Sequence, residues 1–155
     1  MEKLIVTALL IGLVSQSLLA VDGKKVQYVG GTLTGIKEGA EGTIDTTHDT
    51  ALKVDAKKDG AIEIPYAAIT ELEYGQKAGR RVGVAIMISP IALFSKKRKH
   101  FLTVSYKDQA GKEQAAVLEV GKDIVRTILK VVETRSGKPI QFQDDEARKS
   151  IGGGK

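Results

Sequence analysis

The 155-residue chain contains no cysteine and no tryptophan, and aromatic residues make up only 5% of it. Without cysteine there are no disulfides, no thiolate nucleophile, no cysteine-ligated zinc and no lipid-bearing N-terminal cysteine. So few aromatic side chains leave little that could stack on nucleic-acid bases or sugar rings. Stability must therefore come from aliphatic packing, and nucleic acid is not an expected partner.

Motifs of catalysis are also missing. The only histidines, His48 and His100, are not in a metal-ligand spacing, and the chain has neither a serine nucleophile elbow nor a phosphate-binding loop. The segment Asp45–Asp49, with His48 among acidic residues, is the one candidate metal or acid/base cluster. We interpret it as a polar hairpin tip, because neighbouring strand residues point to opposite faces. The chain is expected to be no enzyme and to need no cofactor.

What is present indicates one globular domain with a cationic bias. Apolar residues make up 42% of the chain and charged residues 28%, as in ordinary folded proteins. The formal net charge of +5 favours anionic partners without selecting one.

The first twenty residues resemble an export signal. An apolar run from Leu4 to Val14 follows a short polar start and precedes the small residue Ala20. The run is shorter than a membrane-spanning helix requires. We therefore predict a signal peptide over residues 1–20 and a periplasmic or extracellular protein, with an uncleaved anchor or a buried first helix as the alternatives.

Short β-prone runs separated by turn residues follow from Lys25 onward. Leu52 and Val54 alternate with charged residues, as in a strand buried on one face, and Asp59-Gly60 is a strong hairpin signal. The pair Gly30-Gly31 predicts a bend or bulge in the first run. About seven strands are predicted, at Val26–Thr34, Thr43–Thr47, Ala51–Ala56, Ile62–Ile64, Ile69–Tyr74, Phe101–Tyr106 and Gln114–Val120.

One amphipathic helix is predicted after the last strand. Ile124, Ile128 and Val132 recur at helical spacing, and Gly137 followed by Pro139 is typical of a helix stop. The polar composition after Phe142 predicts a disordered tail over residues 143–155.

Two segments resemble short bacterial pleckstrin-homology-like (PH-like) and GRAM-like domains. Ile62–Tyr74 is similar to the part where one strand ends, a tight turn follows and the next strand begins, and Phe101–Tyr106 is similar to a later core strand. The resemblance implies a mainly β domain over residues 21–142, a small antiparallel barrel or sandwich with one C-terminal helix. It does not carry over phosphoinositide binding, because the loop at residues 35–39 has a single lysine, followed by Glu38.

An apolar insert bracketed by basic residues interrupts this domain at residues 80–99. Its uncharged part, residues 82–94, is too short to span a bilayer. The preferred interpretation is a helical hairpin, broken at Pro90, that covers one end of the barrel. A membrane-surface contact and a protein interface stay open. The candidate contact residues are Arg80, Arg81, Ile86, Ile88, Leu93, Phe94, Lys96, Lys97, Arg98 and Lys99.

The sequence thus predicts a non-catalytic exported binding or scaffold module. Its expected partner is another protein or an anionic lipid surface, with membrane association as one version of the function. A periplasmic enzyme or metal-binding accessory protein and a structural envelope protein are the alternatives.

Overall fold

The computed structural model describes residues 24–78, 87–88 and 99–152, and only the backbone at 87–88. The predicted signal peptide lies outside the described residues. The strands are β1 Lys24–Gly31, β2 Ala40–Asp45, β3 Ala51–Asp55, β4 Ala61–Pro65, β5 Ile69–Gly75, β6 Met87–Ile88, β7 His100–Lys107, β8 Glu113–Val120 and β9 Ile140–Phe142. The helices are α1 Val125–Ser136 and α2 Asp145–Ser150, and a 3₁₀ turn covers Tyr66–Ala68.

The strands form one mixed sheet in the order β4-β3-β2-β1-β8-β7-β5-β9. All pairs are antiparallel except β5 with β9, which run parallel with Leu72 opposite Ile140. Among the described residues no pairing joins β4 to β5 or β9, so the sheet is open. The seven predicted strands are all present. Within the described ranges the predicted closed barrel is not formed, and two further strands, β6 and β9, bring the number of strands to nine.

Alternation places the main core on one face of the sheet. In β3 and β4 the residues Leu52, Val54, Ile62 and Ile64 are buried, whereas Glu63 between the last two is exposed. The same face of β8 and β7 contributes further buried aliphatic side chains to this cluster. Burial of these side chains is the main stabilising contribution available to a chain without disulfides.

Helix α1 covers this core as predicted. Its apolar face is buried, and Gly137 ends the helix in the left-handed conformation, with its N–H donating to Glu133 O at 2.9 Å. Ile128 and Val132 pack into the main cluster. The helix thus joins the two halves of the open sheet at one side.

The disordered tail predicted after Phe142 is wrong for residues 145–150, which form α2. Asp144 caps this helix by accepting a hydrogen bond from Ala147 N at 2.7 Å, and Ala147 itself is fully buried. Ala147 is the buried apolar residue of this otherwise polar helix, and Ile151 at its end packs against the main core. The part of the chain described after β8 therefore contains two helices rather than one.

The predicted irregularity at Gly30-Gly31 is confirmed. The pairing of β1 with β8 changes register between Tyr28 and Gly30. Gly31 has a φ of +148°, and a Cβ there would lie 2.2 Å from Ala115 O. Only glycine allows this close approach of the two strands.

The insert returns beside β1 as a strand. Met87 and Ile88 pair with Gly31 and Gly30, where β2 no longer accompanies β1. A helical hairpin is therefore wrong at these two residues. Nearby, a second small apolar cluster lies apart from the main core and consists of Val29, Ala78, Phe101 and Val117.

No helix within the described ranges combines the length and apolar character that a membrane crossing requires.

Candidate functional site

Most of the predicted contact residues lie outside the described residues. These are Arg80, Arg81, Ile86, Leu93, Phe94, Lys96, Lys97 and Arg98. Of the other two, Ile88 is placed by its backbone in β6, next to Gly30 of β1. Lys99, directly before β7, is the one whose side chain is described.

Lys99 is engaged in an ion pair within the domain. Its ammonium lies 2.8 Å from Glu119 Oε2 on β8, and the two side chains are 26% and 23% exposed. A paired, half-buried cation offers less to an external anion than a solvated one. This end of the predicted basic run therefore has an internal partner.

A different surface combines apolar side chains with cations: a groove of about 280 Å³ between α1, β9 and the end of α2. We call it the helical groove. Its apolar wall comes from Leu129, Ile140, Phe142 and Ile151, of which the last three are only partly buried. Arg126, Lys130 and Glu133 of α1 complete the lining.

The helical spacing of α1 positions the groove's charged edge. Arg126 and Lys130 are four residues apart, one turn along the same side of the helix, and both are exposed. Glu133 continues this row, but its Oε1 accepts a hydrogen bond from Ile140 N at 3.1 Å. The carboxylate thus fixes β9 beside α1, whereas the two cations face solvent.

The side of the groove that β9 forms is stabilised by contacts of the Phe142 ring. Phe142 meets the edge of the buried Tyr74 ring, with ring centroids 6.0 Å apart. The Arg148 guanidinium lies 5.0 Å from the ring centre of Phe142, one of the lining residues. Arg126 packs over Gly152 at the end of α2, where a Cβ would lie 2.7 Å from its Nη2. Three consecutive elements, α1, β9 and α2, therefore form one surface.

The Asp45–Asp49 segment is a turn organised by an arginine of α1. Asp45 Oδ1 accepts hydrogen bonds from Thr47 N and Oγ1 at 2.7 Å, and its Oδ2 lies 3.3 Å from His48 Nε2. Burial raises the pKa of Asp45, but the Thr47 hydrogen bonds and nearby His48 and Lys53 outweigh it, so the pKa lies below its ordinary value.

Arg135 ties this turn to the helix. Its guanidinium donates to Thr46 O and to His48 O, and it lies 2.9 Å from Asp49 Oδ1. Arg135 is only 14% exposed and also lies over the Tyr66 ring, 5.7 Å from its centre. These contacts give the carboxylates structural partners. Within the described ranges no three histidine or acidic side chains gather as a metal site.

His100 belongs to a partly buried hydrogen-bond chain. Its Nδ1 lies 2.6 Å from Tyr74 Oη, which lies 2.8 Å from Ser150 Oγ on α2. Burial and the nearby Lys122 lower the pKa of His100. Burial raises the pKa of Tyr74, and the Ser150 hydrogen bond opposes it. Because Tyr74 is fully buried, the chain serves to dock α2 on β5 and β7 rather than to meet a substrate.

Glu73 of β5 is a buried carboxylate. Charged side chains are rarely buried without a partner, and Glu73 is only 3% exposed. Gln143 Nε2 donates to Glu73 Oε1 at 2.9 Å and to Lys77 O at 2.8 Å. This amide joins the end of β5 to the link between β9 and α2.

The groove residues had only a partial signal in the sequence. Arg126 and Lys130 fall on the polar side of the amphipathic helix that the sequence predicts, whereas Ile140, Phe142 and Ile151 belong to segments too short to show a period. Their convergence depends on the parallel pairing of β9 with β5, between segments nearly seventy residues apart.

Comparison with models of known protein families and with curated proteins gives no match to this chain.

Proposed function

We propose that this protein is a non-catalytic, exported binding module of PH-like type that contacts an anionic membrane surface through its helical side. The observation that carries the proposal is the helical groove, where partly exposed apolar side chains stand beside Arg126, Lys130 and Arg148. Apolar side chains that enter the lipid interface, with cations at their edge, are typical of proteins that lie on membranes.

Charge supports an anionic partner. Two cations, Arg126 and Lys130, and one carboxylate, Glu133, line the groove. The lining therefore carries an excess of positive charge, which favours anionic headgroups.

The titratable groups described above take part in structural hydrogen bonds and ion pairs, which supports a role without catalysis. Asp45 stabilises a turn, Asp49 pairs with Arg135, and His100 contacts a fully buried tyrosine. None of these is a free group at the floor of a cleft, which is the arrangement expected of a general acid or base.

The strand order supports the PH-like type. Two antiparallel meanders, β1 to β4 and β5 with β7 and β8, meet where β1 pairs with β8, and the amphipathic helix α1 follows the last meander strand. The open sheet departs from a closed barrel, so the assignment depends on this order and on the helix.

Vesicle sedimentation tests the proposal. The full chain lacking residues 1–20 should sediment with vesicles of phosphatidylglycerol and phosphatidylcholine, should bind phosphatidylcholine alone far more weakly, and should be released by salt. The double variant Arg126→Gln/Lys130→Gln should lose about 2 kcal/mol of binding free energy, roughly 30-fold, at about 1 kcal/mol per cation near the surface.

A matched variant separates this surface from net charge. Lys37→Gln/Lys58→Gln removes the same charge from two exposed turns outside the groove and should change binding much less. Equal losses in both double variants, or equal binding to neutral and anionic vesicles, would contradict the proposal. Normal folding without any vesicle binding would overturn it and favour a protein partner.

A further inference from the structure

We infer that the helical groove holds a single acyl chain of an anionic amphiphile, such as a fatty acid or one chain of an acidic lipid. This inference deepens the proposed function, because it names the ligand of the same surface. It goes beyond surface adsorption, since it places a ligand between α1, β9 and α2.

The size of the groove favours a chain over a protein segment. The groove measures about 280 Å³ and is lined by Arg126, Leu129, Lys130, Glu133, Ile140, Phe142 and Ile151. That is near the lower limit of small-ligand pockets. A stable protein interface involves about 20–30 residues on each side, so this lining alone is too small for one.

The lining has the polarity of an amphiphile site. Leu129 belongs to the main core, and the partly buried apolar side chains of Ile140, Phe142 and Ile151 pack against it. A chain of methylenes lying here loses contact with water, which strengthens binding about fourfold for each methylene buried.

The cations determine the headgroup. Arg126 and Lys130 lie one turn apart in the lining. Glu133, the carboxylate of the lining, already accepts the Ile140 N–H. A carboxylate or phosphate beside α1 therefore meets two exposed cations, whereas a cationic headgroup would be repelled by them.

Calorimetric titration of the full chain lacking residues 1–20 tests the inference, with fatty acids below their micellar concentration. Dodecanoate should bind one per chain, and affinity should rise about fourfold per methylene from octanoate upward until the groove is filled. Dodecyltrimethylammonium should bind at least tenfold more weakly. No saturable binding of dodecanoate, or equal binding of the cation, would overturn the inference.

Two variants locate the site. Ile151→Trp fills the groove and should weaken dodecanoate binding at least tenfold. Ile36→Trp changes another partly buried isoleucine, in the β1–β2 connection, and should leave it unchanged. Circular dichroism checks that both variants fold. Equal effects of the two substitutions contradict the assignment, and the fatty-acid series on the unchanged chain tests it even if Ile151→Trp does not fold.

The outcomes separate the inference from the proposed function. Vesicle binding without dodecanoate binding overturns the acyl-chain site and leaves the membrane contact standing. Dodecanoate binding without vesicle binding overturns the membrane contact and leaves the acyl-chain site standing. A peptide of alternating leucine and glutamate, titrated in parallel, tests whether a protein segment occupies the groove instead. Saturable binding of the peptide alone overturns the acyl-chain assignment.

Discussion

The two ends of helix α1 carry arginines in opposite situations. Near its C-terminus, Arg135 is 14% exposed and contacts two backbone carbonyls, Asp49 and the Tyr66 ring. Near its N-terminus, Arg126 is exposed at the edge of the helical groove. Residue type and charge are the same, so the difference lies in the partners. Charge by itself therefore does not locate a contact surface, whereas a cation's exposure and its internal partners do.

The largest expected difference between the two arginines is in the free energy of unfolding that each contributes. Arg135→Gln should lower the free energy of unfolding by about 2–4 kcal/mol, because it removes charged hydrogen bonds to two carbonyls of the β2–β3 turn. The matched change Arg126→Gln should stay within about 0.5 kcal/mol. Urea unfolding followed by circular dichroism measures both.

Asp49 provides an internal control for the first effect. Its side chain is 91% exposed, so Asp49→Ala should cost no more than about 1 kcal/mol. A loss for Asp49→Ala equal to that for Arg135→Gln would mean that the ion pair, and not the carbonyl contacts, holds the turn. Equal losses of unfolding free energy for Arg135→Gln and Arg126→Gln would show that the internal contacts of Arg135 do not distinguish the two arginines.

A smaller effect concerns the chain that docks α2, the wall of the groove. The pKa of His100 is lowered in the folded protein, so below its ordinary pKa the unfolded chain binds more protons than the folded one. The free energy of unfolding should therefore fall as pH drops from about 7 to about 5. Thermal unfolding across this range measures the slope.

Histidine replacements test whether His100 causes this slope. His100→Gln should flatten it, whereas His48→Gln, which removes the exposed histidine of the β2–β3 turn, should retain most of it. The slopes are compared rather than the absolute stabilities, because His100→Gln also alters the contact with Tyr74. An unchanged slope in His100→Gln would contradict the assignment.

The sequence was sufficient for the parts of the fold that depend on local periodicity. Leu52 and Val54, or Ile62 and Ile64, alternate strictly and lie in β3 and β4 as predicted. Gly137 ended the helix where expected, because a left-handed residue is a local requirement. These signals are carried by neighbouring residues and need no knowledge of distant ones.

What the sequence could not supply depends on distant partners. β9 has three residues, too few for a period, and it is stabilised by β5 from far along the chain. Helix α2 is polar and docks through Ala147. The burial of Glu73 depends on packing from residues elsewhere in the chain, Gln143 among them. The helical groove combines these same elements, which is why it was missed.

The smallest expected effect compares Lys99, from the predicted basic run, with Lys130 of the groove. Lys99→Gln should change binding to anionic vesicles less than twofold, because its ammonium is held 2.8 Å from Glu119. Its free energy of unfolding should fall by at most about 1 kcal/mol. Lys130→Gln carries the same charge change on an exposed side chain and should weaken binding more. If Lys99→Gln weakens binding as much as Lys130→Gln, the pair with Glu119 does not hold in solution. The contact surface would then include the insert side of the domain.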